Sequence, residues 1–326
     1  MWLIRRYPPG VRPQGAAQWL HRGDISEVHQ VTSGDGGGLR RIARLATGNG
    51  VGIVLSGGGG RGFAHLGVIR ALEELGVEID AVAGTSIGAV MGAGLAIGIP
   101  QDERVRVVSD AFHNLLDYTV PIVAMLRSER ITRNIDSVFG AWQIEDCLVP
   151  LATVSTSLTT SSVKVHRSGP LATAVRASVS LPAVLPPVTY DGELLVDGGV
   201  LDNLPVELLA DDERVGTVIA VDLAPPAPPS SRSDFHPDVS GLRALRARFN
   251  PRSTNFPTIG STLMRSLLVA AGGRRAQVLA SGAIDLTVVL DLVGVGLLDF
   301  ERVQEIEELG YRHAQPQIAE WVASLG

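Results

Sequence analysis

The sequence predicts an α/β domain, a mainly parallel central sheet with helices on both faces, and three observations carry that prediction. An apolar run, Gly52-Ile53-Val54-Leu55, stops at Ser56 and four consecutive glycines. Ala64, Gly67, Val68, Ala71, Leu72 and Leu75 then keep the i, i+3, i+4 spacing of one helix face, and Gly76 closes that helix. A second run, Ala81-Val82-Ala83, leads into Gly84-Thr85-Ser86-Ile87-Gly88 and a helical stretch of small residues, Ala89 to Ala96, ended by Gly98-Ile99-Pro100. Strand, glycine loop, helix, strand, turn and helix make a βαβ unit whose two turns share one edge of a parallel sheet.

Both turns have chemical meaning. Gly-x-Ser-x-Gly between a strand and a helix is a nucleophile elbow, in which small flanking residues leave room for a strained serine. It lifts the Ser86 hydroxyl to a helix N-terminus, where the helix dipole favours a developing anion. The glycine run exposes backbone N–H groups, which bind either a phosphate or an acyl-transfer oxyanion. Gly57-x-Gly59-x-x-Gly62 also satisfies a dinucleotide fingerprint, with Asp80 about 20 residues on. The ribose-binding carboxylate belongs at the end of the second strand, however, and Asp80 precedes that strand. No Gly-Lys-Ser/Thr follows the glycines, so a P-loop is unsupported.

With 326 residues, 45% hydrophobic and 5% aromatic, the chain is globular, and a formal charge of −6 argues against nucleic acid as the main partner. One cysteine, Cys147, excludes an internal disulfide and fits a reducing compartment. No apolar run reaches the ~18–20 residues that span a bilayer, and Met1 to Arg6 lacks a signal-peptide core. These features predict a cytoplasmic protein resting on the inner face of a membrane. Residues 1–48 carry Pro8-Pro9 and Gly36-Gly37-Gly38 and little periodicity. They are expected to be an extended, loosely attached N-terminal extension with a short helix at Leu39 to Leu45.

Residues 101–150 read as helices, Val105, Val108, Phe112 and Leu115-Leu116 sharing one face and Ile131, Ile135, Val138 and Phe139 another. Leu151 to Ser155 and Ser162 to Val165 read as strands around a Ser/Thr turn. Pro170 to Val179 is a helix with proline near its start, and Pro182, Pro186 and Pro187 impose a rigid loop. Glu193 to Val196 is a strand that delivers Asp197 to a glycine turn, where an aspartate commonly caps a helix. Gly216 to Leu223 is a strand buried on both faces. Residues 225–275 begin as a Pro/Ser linker; beyond it, apolar residues with Arg243, Arg246 and Arg248 read equally as core helices or as a lid or interfacial anchor. Ile284 to Leu290 is a last strand, and Asp299 begins a terminal amphipathic helix.

Leu55 to Gly62 resembles the glycine-rich oxyanion motif of patatin-like phospholipases, Gly84 to Gly88 their serine elbow, and Asp197-Gly198-Gly199 their third motif. Gly62 to Val68, Ser180 to Pro187 and Leu195 to Pro205 are most similar to the esterase domain of neuropathy target esterase and its bacterial relatives. Gly60 stands where alanine is common and Asp202 where asparagine is. The resemblance covers roughly residues 40 to 315. It implies the patatin-like three-layer fold over residues 49–326. It also implies that residues 1–48 correspond to the stretch that, in long family members, joins cyclic-nucleotide-binding domains to the esterase.

The same resemblance makes Asp197 the partner of Ser86 in a Ser–Asp site without histidine. Only His236, in the linker, and His313, in the terminal helix, follow Asp197, and neither occupies a strand-to-helix loop. An aspartate of ordinary pKa, ~3.9, is a weak base for a serine, so Asp197 must be desolvated to act. Gly58, Gly59 and Gly60 are then the expected oxyanion donors, with Arg61 holding the loop. The expected reaction is hydrolysis of carboxylic esters of lysophospholipids at a membrane surface, with no cofactor and no metal. A nucleotide-binding module and a catalytically silent membrane-associated scaffold are the alternatives.

Overall fold

The computed structural model describes residues 1–113, 128–223, 266 and 269–325. Among them the centre is an eight-stranded sheet. Its parallel part holds β3 (Gly50–Leu55), β4 (Ala81–Thr85), β5 (Leu151–Ser157), β9 (Val215–Asp222) and β10 (Leu286–Val289), hydrogen-bonded in the order β10-β9-β3-β4-β5. Three antiparallel strands complete it: β6 (Ser162–His166), β7 (Val188–Tyr190) and β8 (Glu193–Asp197).

Alternation along the strands sends successive side chains to opposite faces, and the buried residues form two clusters accordingly. Ile53, Leu55, Val82, Ile219 and Val221 belong to one, and Val54, Ala81, Ala83, Val218 and Ala220 to the other. The first face is covered by α3 (Ala64–Glu74), α4 (Ile87–Ala96), α5 (Gln101–Phe112), α6 (Ser128–Phe139) and α7 (Leu171–Ser178). The second is covered by α8 (Glu207–Ala210) and α9 (Val269–Leu279). All ten residues of α4 are buried, which explains why its sequence is apolar on every side. The terminal helix α10 (Val303–Ser324) crosses α3 and buries Ile306, Ala314 and Ile318; it starts four residues later than Asp299.

The helices expected in 101–150 are present as α5 and α6, with Ile131, Ile135 and Phe139 buried; Leu115-Leu116 lie outside the described residues. The lid or anchor expected at 225–275 also lies outside them, except for residue 266 and the first turns of α9.

The N-terminal segment differs from the loosely attached extension expected of it. β1 (Trp2–Tyr7) and β2 (Glu27–Thr32) pair in parallel as a separate two-stranded sheet, with α1 (Ala17–Leu20) between them. The short helix is longer than expected, α2 (Gly36–Ala46), because Asp35 caps it by accepting the N–H groups of Gly37 and Gly38. Non-local hydrogen bonds tie the segment down. Ala16 N–H donates to Asp146 Oδ1 at 2.8 Å and Gly15 N–H to Oδ2 at 3.1 Å, while Arg214 pairs with both Glu27 and Asp212. No local periodicity announces contacts between residues 130 positions apart.

Candidate active site

Strand pairing brings the site together. Thr85, the last residue of β4, pairs with Val154 of β5, and Asp197, the last residue of β8, pairs with the next residue, Ser155. β6 occupies the other edge of β5 from Thr153 to Ser157, so β4 and β8 share one edge. They run in opposite directions and meet there end to end. Ser86 leaves β4 and Asp197 ends β8 at that meeting point, and Ser86 Oγ–H donates to Asp197 Oδ2 at 2.6 Å.

The elbow is strained as expected. Ser86 has φ 55° and ψ −124°, outside the regions an L-residue prefers. A Cβ on Gly88 would lie 2.2 Å from Leu55 O, so the turn closes directly on the end of β3. Two residues that the sequence reading assigned no role also hold the site. Ser178 Oγ accepts the Ser86 N–H at 2.8 Å, and Asn203 Nδ2 donates to Gly57 O at 3.2 Å while the Asn203 backbone carbonyl accepts the Gly57 N–H at 3.1 Å. Their types are unremarkable in sequence, and only the local motif context around them was a signal.

The glycine loop runs from the end of β3 into a 3₁₀ turn, Gly59–Phe63. Its base is pinned: Ser56 Oγ accepts Leu223 N–H at 3.0 Å, and buried His65, with Nε2 2.8 Å from Ser56 O, fixes the carbonyl behind it. Gly59 has φ +56°, and a Cβ there would sit 2.3 Å from Leu297 O. One expected donor is corrected. The N–H of Gly60 donates to Leu297 O at 2.8 Å, because the loop after β10 closes over the turn, so it is not presented to the site. Gly58 and Gly59 have no backbone acceptor among the described residues. Arg61 is buried beneath the loop, where desolvation lowers its pKa against the opposing pull of Asp222 and Asp291.

Asp197 is buried, and its electrostatics follow. Desolvation pushes its carboxyl up to about 6, against the hydrogen bonds from Ser86 and Gly199 N–H that favour the ionised form. Among the described residues no histidine hydrogen-bonds either Ser86 or Asp197. His65 is spent on Ser56 and His166 on Ser155 Oγ at 2.7 Å, and burial lowers the pKa of both to about 4. His113 pairs with Glu301, and His236 lies outside the described residues. Asp80, the carboxylate a dinucleotide site would need, is at the opposite end of the sheet. There it accepts a forked pair from Arg44 at 2.7 and 2.8 Å, and the Val51 N–H.

The chain is similar to several known proteins. Patatin-like phospholipase domain-containing protein 7 of Rattus norvegicus is 33% identical over 294 residues, covering 87% of this chain and 22% of that protein. An uncharacterised NTE family protein of Mycobacterium tuberculosis is 35% identical over 286 residues, covering 86% of this chain and 48% of that protein. The chain thus spans between about a fifth and a half of the length of these relatives. VipD from Legionella pneumophila superposes with a TM-score of 0.46 at 15% identity, covering 83% of this chain and 67% of that one, too loosely to bear on the site. The Patatin-like phospholipase family model matches residues 53–210, a span that holds the glycine loop, Ser86 and Asp197. Over residues 53–210 the chain belongs to the patatin-like phospholipase family.

Proposed function

We propose that the chain is a serine lipid hydrolase that cleaves carboxylic esters of lysophospholipids through a Ser86–Asp197 dyad. The observation that carries this reading is the 2.6 Å hydrogen bond from Ser86 Oγ to a buried carboxylate of raised proton affinity. Ser86 Oγ bonds to the acyl carbon while its proton passes to Asp197 Oδ2. The carbonyl oxygen becomes an oxyanion beside the N–H groups of Gly58 and Gly59 and the N-terminus of α4. Collapse of the tetrahedral species breaks the ester C–O bond, and the leaving alkoxide takes the proton from Asp197. Water then attacks the acyl-enzyme, giving a proton to Asp197, and the fatty acid leaves as Ser86 recovers its own. Arg61 serves to hold the loop.

The test is fatty-acid release from lysophosphatidylcholine micelles, with fluorophosphonate labelling in parallel, for the wild type and Ser86→Ala. Release and labelling confined to the wild type are expected. Release by both proteins, or a folded wild type inert to substrate and probe alike, would overturn the dyad.

A pH dependence follows from Asp197. The base must be ionised, so kcat/KM is expected to fall on the acid side with an apparent pKa near 6, not near the ordinary 3.8. An acid limb near pH 4 in rates on a soluble ester would contradict the proposed base.

The proposed substrate also implies a membrane-facing surface at the cytoplasmic face, a compartment that suits the single cysteine. Among the described residues no helix is long and apolar enough to cross a membrane. Support comes instead from the end of the sheet that holds Ser86. Val293, 87% exposed, Leu297 and Leu298 protrude from the loop after β10, and Val269 from the start of α9. Val293→Asp with Leu298→Asp is expected to weaken cosedimentation with phosphatidylcholine–phosphatidylglycerol vesicles by roughly ten- to a hundredfold. Hydrolysis of soluble p-nitrophenyl butyrate should be unchanged. Equal vesicle binding by the double variant would remove this surface from the reading.

A further inference from the structure

The dyad meets at the tips of two strands, and strand tips are not rigid by themselves. What holds both tips is the turn that ends α7. Ser178 Oγ accepts the Ser86 N–H at 2.8 Å and donates its own proton to Val154 O at 2.6 Å. Two residues later, Ser180 O accepts the Asp197 N–H at 2.9 Å. One short turn therefore touches the backbone of both proposed catalytic residues.

That turn is itself locked. Ser178 and Ser180 are fully buried. Ser180 Oγ donates to Arg176 O at 2.7 Å and accepts from Arg176 Nη1 at 2.6 Å. Arg176 also donates to Thr132 Oγ1 of α6 at 3.2 Å and to Pro186 O at 3.4 Å, so one buried guanidinium joins the turn to its neighbours. The Ser178 hydroxyl has no rotational freedom, because Val154 O takes its hydrogen and leaves the lone pairs facing Ser86 N–H. Ser86 needs such a hold. Its φ of 55° persists only where the surroundings over-determine it, and its N–H is held by the Ser178 hydroxyl.

We infer that Ser178 is a positioning residue: it fixes the Ser86 elbow at its distance from Asp197 by accepting the nucleophile's own N–H. The inference rests on the Ser–Asp reading above and deepens it. Removing the hydroxyl frees the Ser86 peptide to rotate, which moves Oγ relative to Asp197 and to the glycine loop, while residue 178, fully buried, has no surface to offer a substrate. The cost therefore belongs to the chemical step and not to binding.

The test compares Ser178→Ala with Val175→Ala, a fully buried position on the same helix whose side chain has no hydrogen-bonding group. On p-nitrophenyl butyrate, Ser178→Ala is expected to lower kcat roughly ten- to a hundredfold, as small misplacements of a reacting group do. KM should stay within about twofold by the same reasoning. The rate of fluorophosphonate labelling should fall by the same factor, and the acid limb near pH 6 should stay in place. Val175→Ala should lower the melting temperature and keep kcat.

A Ser178→Ala protein with wild-type kcat overturns the inference while leaving the dyad intact. So does an equal loss of kcat in both variants at matched loss of melting temperature, since that is what general destabilisation produces. A wild type inert to ester and probe removes the Ser–Asp reading first, and that result is distinguishable from either of these.

Discussion

Asp197→Asn is expected to lose roughly 10²–10⁴-fold in kcat, the range for removing a general base, and yet to melt at a higher temperature than the wild type. The first half follows because the amide cannot accept the Ser86 proton. The second follows from burial. The carboxyl has its pKa raised to about 6 in the folded chain against an ordinary 3.8. Between these values the folded state holds a proton that the unfolded state has released. Stability from this group therefore falls as pH rises through the window from about 4 to about 6, and the whole cost is present above pH 6. A shift of this size corresponds to about 3 kcal/mol.

Asparagine is neutral and nearly isosteric. Its oxygen can still accept the Gly199 N–H now bound at 2.7 Å, and its NH₂ can donate to Ser86 Oγ. Weaker hydrogen bonds offset part of the gain, leaving an expected stabilisation of about 1–2 kcal/mol at pH 7.5. That is a rise of a few degrees in melting temperature. The advantage should shrink at pH 5, where the wild-type carboxyl is protonated. Thermal melts of the two proteins at pH 5 and 7.5 decide the matter: a variant that melts lower than the wild type at both would refute the claim that desolvation dominates at Asp197.

Gly310→Ala is expected to destabilise the chain strongly, although the same change in an ordinary helix interior stabilises by about 1 kcal/mol. α10 crosses α3 at a pair of glycines, where backbone meets backbone. A Cβ on Gly310 would lie 2.2 Å from Ala64 O, and one on Gly67 would lie 2.1 Å from Glu307 O. Neither neighbour is a flexible side chain that could turn aside, so the helices must separate. Separation loosens the burial of Ile306 and Ile318, both fully buried now. Overpacking of this kind costs about 1–3 kcal/mol or more, enough to reverse the propensity gain.

The effect should also reach the site. The segment leading into α10 carries Leu297, whose carbonyl takes the Gly60 N–H, and Asp299, whose backbone lies against Gly60. Urea unfolding of Gly310→Ala, read with esterase activity below the transition, tests both parts. A midpoint equal to or above that of the wild type would show that the helices tolerate separation at this crossing.

Much of this molecule is legible locally. The run Gly52 to Leu55, the helix face from Ala64 to Leu75 and the Gly84 to Gly88 turn declare a strand, a helix and an elbow, because periodicity and steric demand act over a few residues. The serine is placed by the same logic, since a strand-to-helix turn this tight selects its own residues. Asp197 is different. Its own neighbours are satisfied equally well by a helix cap, and only the resemblance to a known family, not local spacing, pairs it with Ser86.

The tertiary structure decided the rest. Ser86 and Asp197 are 111 residues apart, and they meet because β4 and β8 run head to head along one edge of β5. Strand edges carry generic N–H and C=O groups, so a strand's sequence does not name its partner. For the same reason the N-terminal segment reads as loose, although Asp146 and Arg214 hold it, and Gly60 reads as a donor to the site, although Leu297 O takes its N–H. The sequence by itself determined the elbow that carries Ser86, and only with the family resemblance did it nominate Asp197 as the proposed partner; long-range hydrogen bonding, which no local pattern encodes, determined that their side chains face one another.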